Sequence, residues 1–192
     1  MSRPFATIRR AALPWHGAGA LACWLIHGGN HVLRGTPHDL LWACNVAVPM
    51  LALGCFAGAR LACAIPLLWL SFGTPIWLVD LATGAGLIPT SVFVHVVAPL
   101  IGIAAVRRLG WPPRAWLAAT GASAGLLALT RLVGAPGPNV NLAFRIHDGW
   151  ERVFGSHAAF LAVLLAASAL LFAGIDAVAR RLARRGPPRA RP

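Results

Sequence analysis

The stretch HGGNHVLRGTPHDLLWACN, residues 27–45, sets three histidines, an Asp, a Cys and two Asn between two apolar runs. Those runs are mostly Leu, Ala, Val and Gly, and each approaches the twenty or so residues that cross a bilayer. A short polar link between two such runs reads as a loop joining transmembrane helices. It also predicts that the chemistry of this chain gathers on one side of a membrane.

The composition agrees. Of 192 residues, 58% are hydrophobic and only 11% charged, with a mean hydropathy of +0.69. A soluble domain carries about 25% charged residues, so this chain has too little polar surface to face water all round. All 17 basic residues are Arg and stand against five acids, for a net charge of +12. Nucleic-acid-binding proteins spread such charge among polar residues on a water-facing surface. Here the Arg residues flank apolar runs and fill 180–191, which suits cytoplasmic loops and anionic lipid headgroups instead. Nucleic acid is therefore not expected as a partner; membrane lipids are.

Outward from the opening stretch, the apolar periodicity predicts six helices, at about 11–27, 39–58, 61–82, 88–106, 114–133 and 156–179. Gly28-Gly29 is expected to end the first, and Asp39 suits the first turn of the second. Pro66 and Pro75 fall inside the third, which membrane helices tolerate. Residues 1–10 form a basic leader before an apolar run, as in a signal peptide. The run is interrupted by Pro14 and His16 and continues past Cys23, so a retained first helix is expected. The longest loop, about 134–155, is rich in Pro, Gly and Asn. The expected organisation is one all-α transmembrane bundle over 1–180, followed by a basic, Pro/Arg-rich disordered tail over 181–192.

Arg placement sets the orientation. With both termini cytoplasmic, thirteen Arg fall inside and four outside (Arg34, Arg131, Arg145 and Arg152), as the positive-inside rule prefers. The expected location is the cytoplasmic membrane of a bacterium. Trp15, Trp24, Trp42, Trp77, Trp111 and Trp150 then lie near helix ends or in loops, where interfacial anchors belong.

On that topology the polar residues share the outer side. His27, Asn30, His31, His38 and Asp39 lie in or beside the first outer loop, with Cys44 and Asn45 just inside the second helix. Asp80 ends the third helix, and His95 lies about two turns into the fourth. Asn139, Asn141, His147, Asp148, Glu151 and His157 belong to the third outer loop or its end. Outer loops are polar anyway, but Asn45, Asp80 and His95 lie in or at the edge of apolar runs. Ionisable groups at that depth usually face a bundle interior or a watery cavity. Asp80 and His95 thus read either as part of a pocket or as a hydrogen bond tying two helices.

Two sharper chemistries are open. Cys44 as nucleophile with His95 as its base follows the logic of an activated thiol; the bland reading is an inert buried Cys. His27 and His31 have the four-residue spacing of two ligands on one helix face. The intervening Gly28-Gly29 argues against a continuous helix there and no glutamate follows His27, so interfacial histidines are preferred to a metal site completed by Asp80. No Cys-x-x-Cys pair occurs among Cys23, Cys44, Cys55 and Cys63. No metal and no cofactor is expected. Asn45, Asn139 and Asn141 are candidate ligand-binding residues, although the Gly-Pro-Asn-Val-Asn run at 137–141 reads first as turn chemistry.

These motifs carry a resemblance. Leu41-Trp42-Ala43-Cys44-Asn45, Trp77-Leu78-Val79-Asp80, His95 with Pro99, Arg107-Arg108-Leu109-Gly110 and Asn139-Val140-Asn141-Leu142-Ala143-Phe144 occur in order over 41–144. In them the chain resembles a family of uncharacterised bacterial six-helix integral membrane proteins. It departs at Asn45, where the family has Asp, and at Thr74, where it has an acid. A fainter likeness is to multi-pass phospholipid acyltransferases, which share Cys-Asn or Cys-Asp near a helix start and a later helix histidine. That likeness implies Cys44 as the acyl-accepting nucleophile and His95 as its partner; the polar cluster adds Asp80 to the same outward pocket as a third candidate catalytic residue. The alternative function is a non-enzymatic carrier, receptor or assembly partner whose pocket binds a lipid or a small polar ligand.

Overall fold

The computed structural model describes residues 12–84 and 86–185. Among these the chain is all helical, with no strand. Its six α-helices are α1 (Pro14–Leu33), α2 (Ala43–Ala57), α3 (Arg60–Ala82), α4 (Ala98–Leu109), α5 (Ala115–Val133) and α6 (His157–Arg185). A 3₁₀ turn, Pro37–Leu41, precedes α2, a π-helical turn, Phe93–Val97, leads into α4, and a short 3₁₀ turn, Val140–Leu142, lies in the α5–α6 loop. Helices α3, α5 and α6 are long and apolar enough to cross a membrane, and α2 is a shorter apolar helix.

The first helix differs from expectation in a way that matters. It does not stop at Gly28-Gly29 but continues to Leu33 and gives way at Arg34 and Gly35, whose φ is +73°. Two glycines cost a helix only about 1 kcal/mol each against Ala, and tertiary packing outweighs that. A methyl on Gly28 would meet Leu40 at 3.4 Å, so the glycine lets the 3₁₀ turn lie close on α1. The expected leader at 1–10 lies outside the described residues. Helix α6 runs on to Arg185, into the expected tail, and the remainder of that tail also lies outside them.

Packing follows chain order. Helix α2 lies between α1 and α3, and α3 in turn touches α4, α5 and α6. Small residues allow this: a Cβ on Gly54 would sit 2.8 Å from the backbone of Ala62, so α2 and α3 meet backbone to backbone. Gly58, in the left-handed conformation with φ +62°, ends α2 and turns the chain directly into α3. The core of this hairpin is Val48, Leu51, Cys55, Cys63, Ala64 and Leu68, all fully buried. By contrast, α6 leaves Val163, Leu170 and Leu182 exposed although it is strongly apolar. A helix apolar all round needs an apolar surrounding, which a bilayer supplies.

Candidate functional site

Helices α3, α5 and α6, with the polar ends of α1, α2 and α4, enclose one cavity of about 600 Å³. Its polar rim holds His27, His31, Asp39, Cys44, Asn45, Asp80, His95 and Asn141. Its deeper wall is apolar, built by Phe72 and Ile76 of α3, Leu126 and Leu127 of α5, and Leu164, Leu165 and Phe172 of α6. The cavity runs from loop residues to Trp69, thirteen residues below the end of α3 at Ala82. At ~1.5 Å per residue that is a depth of roughly 20 Å, more than half the ~30 Å hydrocarbon core of a bilayer.

His95 sits in the π-helical turn, and such turns are frequent at functional positions. The distorted turn is held from α3, where the Thr74 hydroxyl donates to the His95 carbonyl at 3.2 Å. The indole of Trp77 stacks on the imidazole at 4.9 Å with the rings 7° from parallel, and its N–H donates to Ser91 Oγ at 3.1 Å. The ring is therefore fixed in orientation. Its Nδ1 is buried and has no hydrogen-bond partner.

Cys44 stands in the first turn of α2, half-buried, with a free thiol. Gly73 of α3 is the floor between it and the histidine. A methyl there would touch Cys44 Cβ at 3.8 Å and His95 Cε1 at 4.0 Å. Asn45, one residue on, is buried; its amide N–H donates to the Asp39 carbonyl at 2.8 Å, while its Oδ1 is buried without a partner. Asp80 is exposed at the mouth, in the last turn of α3.

Asn139 and Asn141 are occupied by the fold. Asn139 Oδ1 accepts from the N–H groups of Phe144 and Arg145, both at 3.0 Å, and its Nδ2 donates to the Arg145 carbonyl at 3.2 Å. Asn141 reaches across to α2: its Oδ1 accepts the Ala43 N–H at 3.0 Å, and its Nδ2 donates to the Leu41 carbonyl at 2.7 Å and to Thr130 Oγ1 at 3.0 Å. Asn141 thereby caps the helix that carries Cys44, satisfying one of its orphan N–H groups. Asn139 and Asn141 both have positive φ, 50° and 54°, a conformation Asn tolerates better than most residues.

A string that sequence reasoning did not assemble lines the same rim. His27 Nδ1 is 2.9 Å from Thr90 Oγ1, and His27 Nε2 is 3.2 Å from His31 Nε2. His31 Nδ1 in turn lies 2.9 Å from Thr36 Oγ1 and 3.4 Å from Asp39 Oδ2. The Trp42 indole N–H donates to Asp39 Oδ1 at 3.3 Å. The i, i+4 spacing of the two histidines was the available signal, and it becomes informative only because α1 is continuous through Gly28-Gly29. Among the described residues, no three His, Cys, Asp or Glu side chains gather closely enough to hold a metal ion. Trp77 and Thr74 stood out in the sequence only as an interfacial anchor and as a departure from the resembled family, and Thr90 not at all.

Comparison with protein-family models, with curated proteins and with solved structures finds no match to this chain.

Proposed function

We propose that the chain is a six-span protein of the bacterial cytoplasmic membrane, both termini inside, that modifies membrane lipids by acyl transfer or hydrolysis. The observation that carries this reading is the shape of the cavity. A deep, largely apolar cavity opens at a rim bearing a free thiol and an imidazole fixed by its stacking on Trp77.

In the reaction, Cys44 Sγ attacks the carbonyl carbon of a lipid ester. The thiol proton passes to the His95 imidazole, an S–C bond forms, and the C–O bond to the alcohol breaks. The departing alkoxide takes the proton back from His95. Water or an acceptor hydroxyl then attacks the thioester, gives its proton to His95, and releases Cys44 as the thiol. In the first turn of α2 the Ala43 N–H is bonded to Asn141 Oδ1 and the Asn45 and Val46 N–H groups to the Trp42 carbonyl, so on this reading the developing oxyanion is assigned to the N–H of Cys44 itself. Asp80, exposed at the mouth, favours a cationic or hydroxylated headgroup.

The test is intact mass of the purified protein after incubation with membrane phospholipids, run beside Cys44→Ala. An acyl-sized, hydroxylamine-labile adduct on the wild type alone supports the thioester. Full hydrolytic activity in Cys44→Ala removes the covalent mechanism. A second reading, a binding protein without chemistry, is favoured by one observation: Cys44 and His95 line the same cavity without a hydrogen bond between them. Tight lipid binding with neither adduct nor product would select it.

A further inference from the structure

The histidine pair on α1 takes no part in the acyl chemistry above, yet it is the most densely connected polar group on the rim. His27 and His31 are 4% and 5% exposed, far more buried than interfacial histidines need to be. Their arrangement has three parts. Both Nδ1 atoms are held from outside, His27 by Thr90 at 2.9 Å and His31 by Thr36 at 2.9 Å with Asp39 at 3.4 Å. Both Nε2 atoms face one another at 3.2 Å. The rings meet edge to face, 83° apart, with centroids at 4.6 Å.

We propose that His27 and His31 form a two-imidazole site for a divalent transition-metal ion of the zinc, nickel and copper class, opening onto the cavity. Two nitrogens each ~2.1 Å from a shared zinc-like ion stand ~3.2 Å apart when the angle at the ion is about 100°, and that is the separation observed. Imidazole nitrogen suits this class of ion. The outer contacts match as well: a metal-bound histidine characteristically has its second nitrogen held by a carboxylate or other acceptor, which fixes the tautomer and ring angle. A carboxylate only accepts, so His31 Nδ1 carries its hydrogen toward Asp39, and His31 Nε2 presents a lone pair. In the metal-free protein His27 Nε2–H donates to that lone pair while the Thr90 hydroxyl donates to His27 Nδ1. On binding, the His27 proton moves to Nδ1 and donates to Thr90 Oγ1 instead. Both Nε2 lone pairs are then free, and no net proton is released.

The helix makes the pair possible, since residues four apart share one face. With two protein ligands the ion keeps open positions on the cavity side, for water or an oxygen of the cavity's occupant.

The experiment is metal analysis of tag-free protein, followed by calorimetric titration in detergent with Zn²⁺, Ni²⁺ and Cu²⁺. One ion per chain is expected. Binding should be lost in His27→Ala and in His31→Ala and weakened about 10–100-fold in Asp39→Asn, the usual effect of removing an outer-shell partner. Cys44→Ala should bind normally, which separates this site from the thiol chemistry. Should the alanine variants fail to fold, Cu²⁺-loaded wild type supplies an independent reading, because its paramagnetic resonance spectrum should show coupling to imidazole nitrogens. Absence of stoichiometric binding by all three ions, or binding that survives both histidine substitutions, overturns the site.

Discussion

Asp176 shows how a single residue can set the cost of a membrane-embedded charge. It is 0% exposed, near the C-terminal end of α6; its Oδ1 accepts a hydrogen bond, while its Oδ2 is held by the charge of Arg180 without a hydrogen bond. The Trp111 indole N–H donates to Oδ1 at 2.7 Å, and Arg180 Nη2 lies 3.0 Å from Oδ2. Hydrogen bonds to a charged group contribute roughly 1.5–3 kcal/mol each. Asp176→Asn keeps the shape, removes the charge and should lower the thermal midpoint in detergent by an amount equivalent to a loss in that range. An unchanged midpoint would mean the contact is incidental. At the rim, Trp77→Leu removes the platform under His95. Aromatic stacking of this kind contributes about 0.5–1.5 kcal/mol, so stability should fall only slightly while acyl-adduct formation at Cys44 drops much further. Equal losses in both would make Trp77 a packing residue alone. The sequence already marked Cys44, Asn45, Asp80 and His95 in or at the edge of apolar runs and Asn141 in the third outer loop as candidate site residues, and all five line one cavity. What it could not convey was how each is employed. The partners of Asn141 are the backbone of Leu41 and Ala43, about a hundred residues away, and backbone groups leave no trace in a sequence.

Among the elements, α2 depends most on its neighbours. It is 15 residues long, contains Pro49, and begins at Trp42, which offers no side-chain cap of its own. The cap comes from the α5–α6 loop through Asn141. Replacing a helix cap costs about 0.5–2 kcal/mol, and Asn141→Ala also strips the Leu41 carbonyl and Thr130 of a partner. We therefore expect a loss at the upper end of that range, with faster amide exchange confined to Ala43, Cys44 and Asn45; uniform exchange along α2 would contradict a capping role. At its other end, α2 is fixed by contact with α3. Gly54→Leu must push the Ala62 backbone away, and overpacking of that kind typically costs 1–3 kcal/mol or more where backbone has to move. The helices themselves were readable from apolar periodicity to within a few residues at most ends. The first was not, because Gly28-Gly29 obeys a local rule for stopping that the packing of Leu40 against Gly28 overrules. Nor was the π-helical turn at Phe93–Val97, since an extra residue in a helical turn leaves the apolar pattern almost intact.

For the whole molecule, the deciding quantity is where its charge lies relative to a bilayer. Three helices are long and apolar enough to cross one, and six spans require α1, α2 and α4 to cross beside them. On the proposed topology, the Arg distribution of thirteen against four puts the α2–α3 and α4–α5 connections inside and the cavity mouth outside. Two exposed positions test this directly, Pro113 between α4 and α5 and Asp148 in the α5–α6 loop. In a background with the four native cysteines replaced by alanine, Asp148→Cys should react with a membrane-impermeant maleimide in intact spheroplasts. Pro113→Cys should react only after the membrane is permeabilised. The reverse pattern would invert the protein and turn the cavity toward the cytoplasm. Labelling of both sites in intact spheroplasts would mean that α5 does not cross. Because loop charge near helix ends sets orientation, changing Arg107, Arg108 and Arg114 together to Glu should weaken the preference and yield a mixed population in the same assay. If orientation holds regardless, the packing of α4 and α5 on α3, rather than loop charge, fixes how the bundle sits.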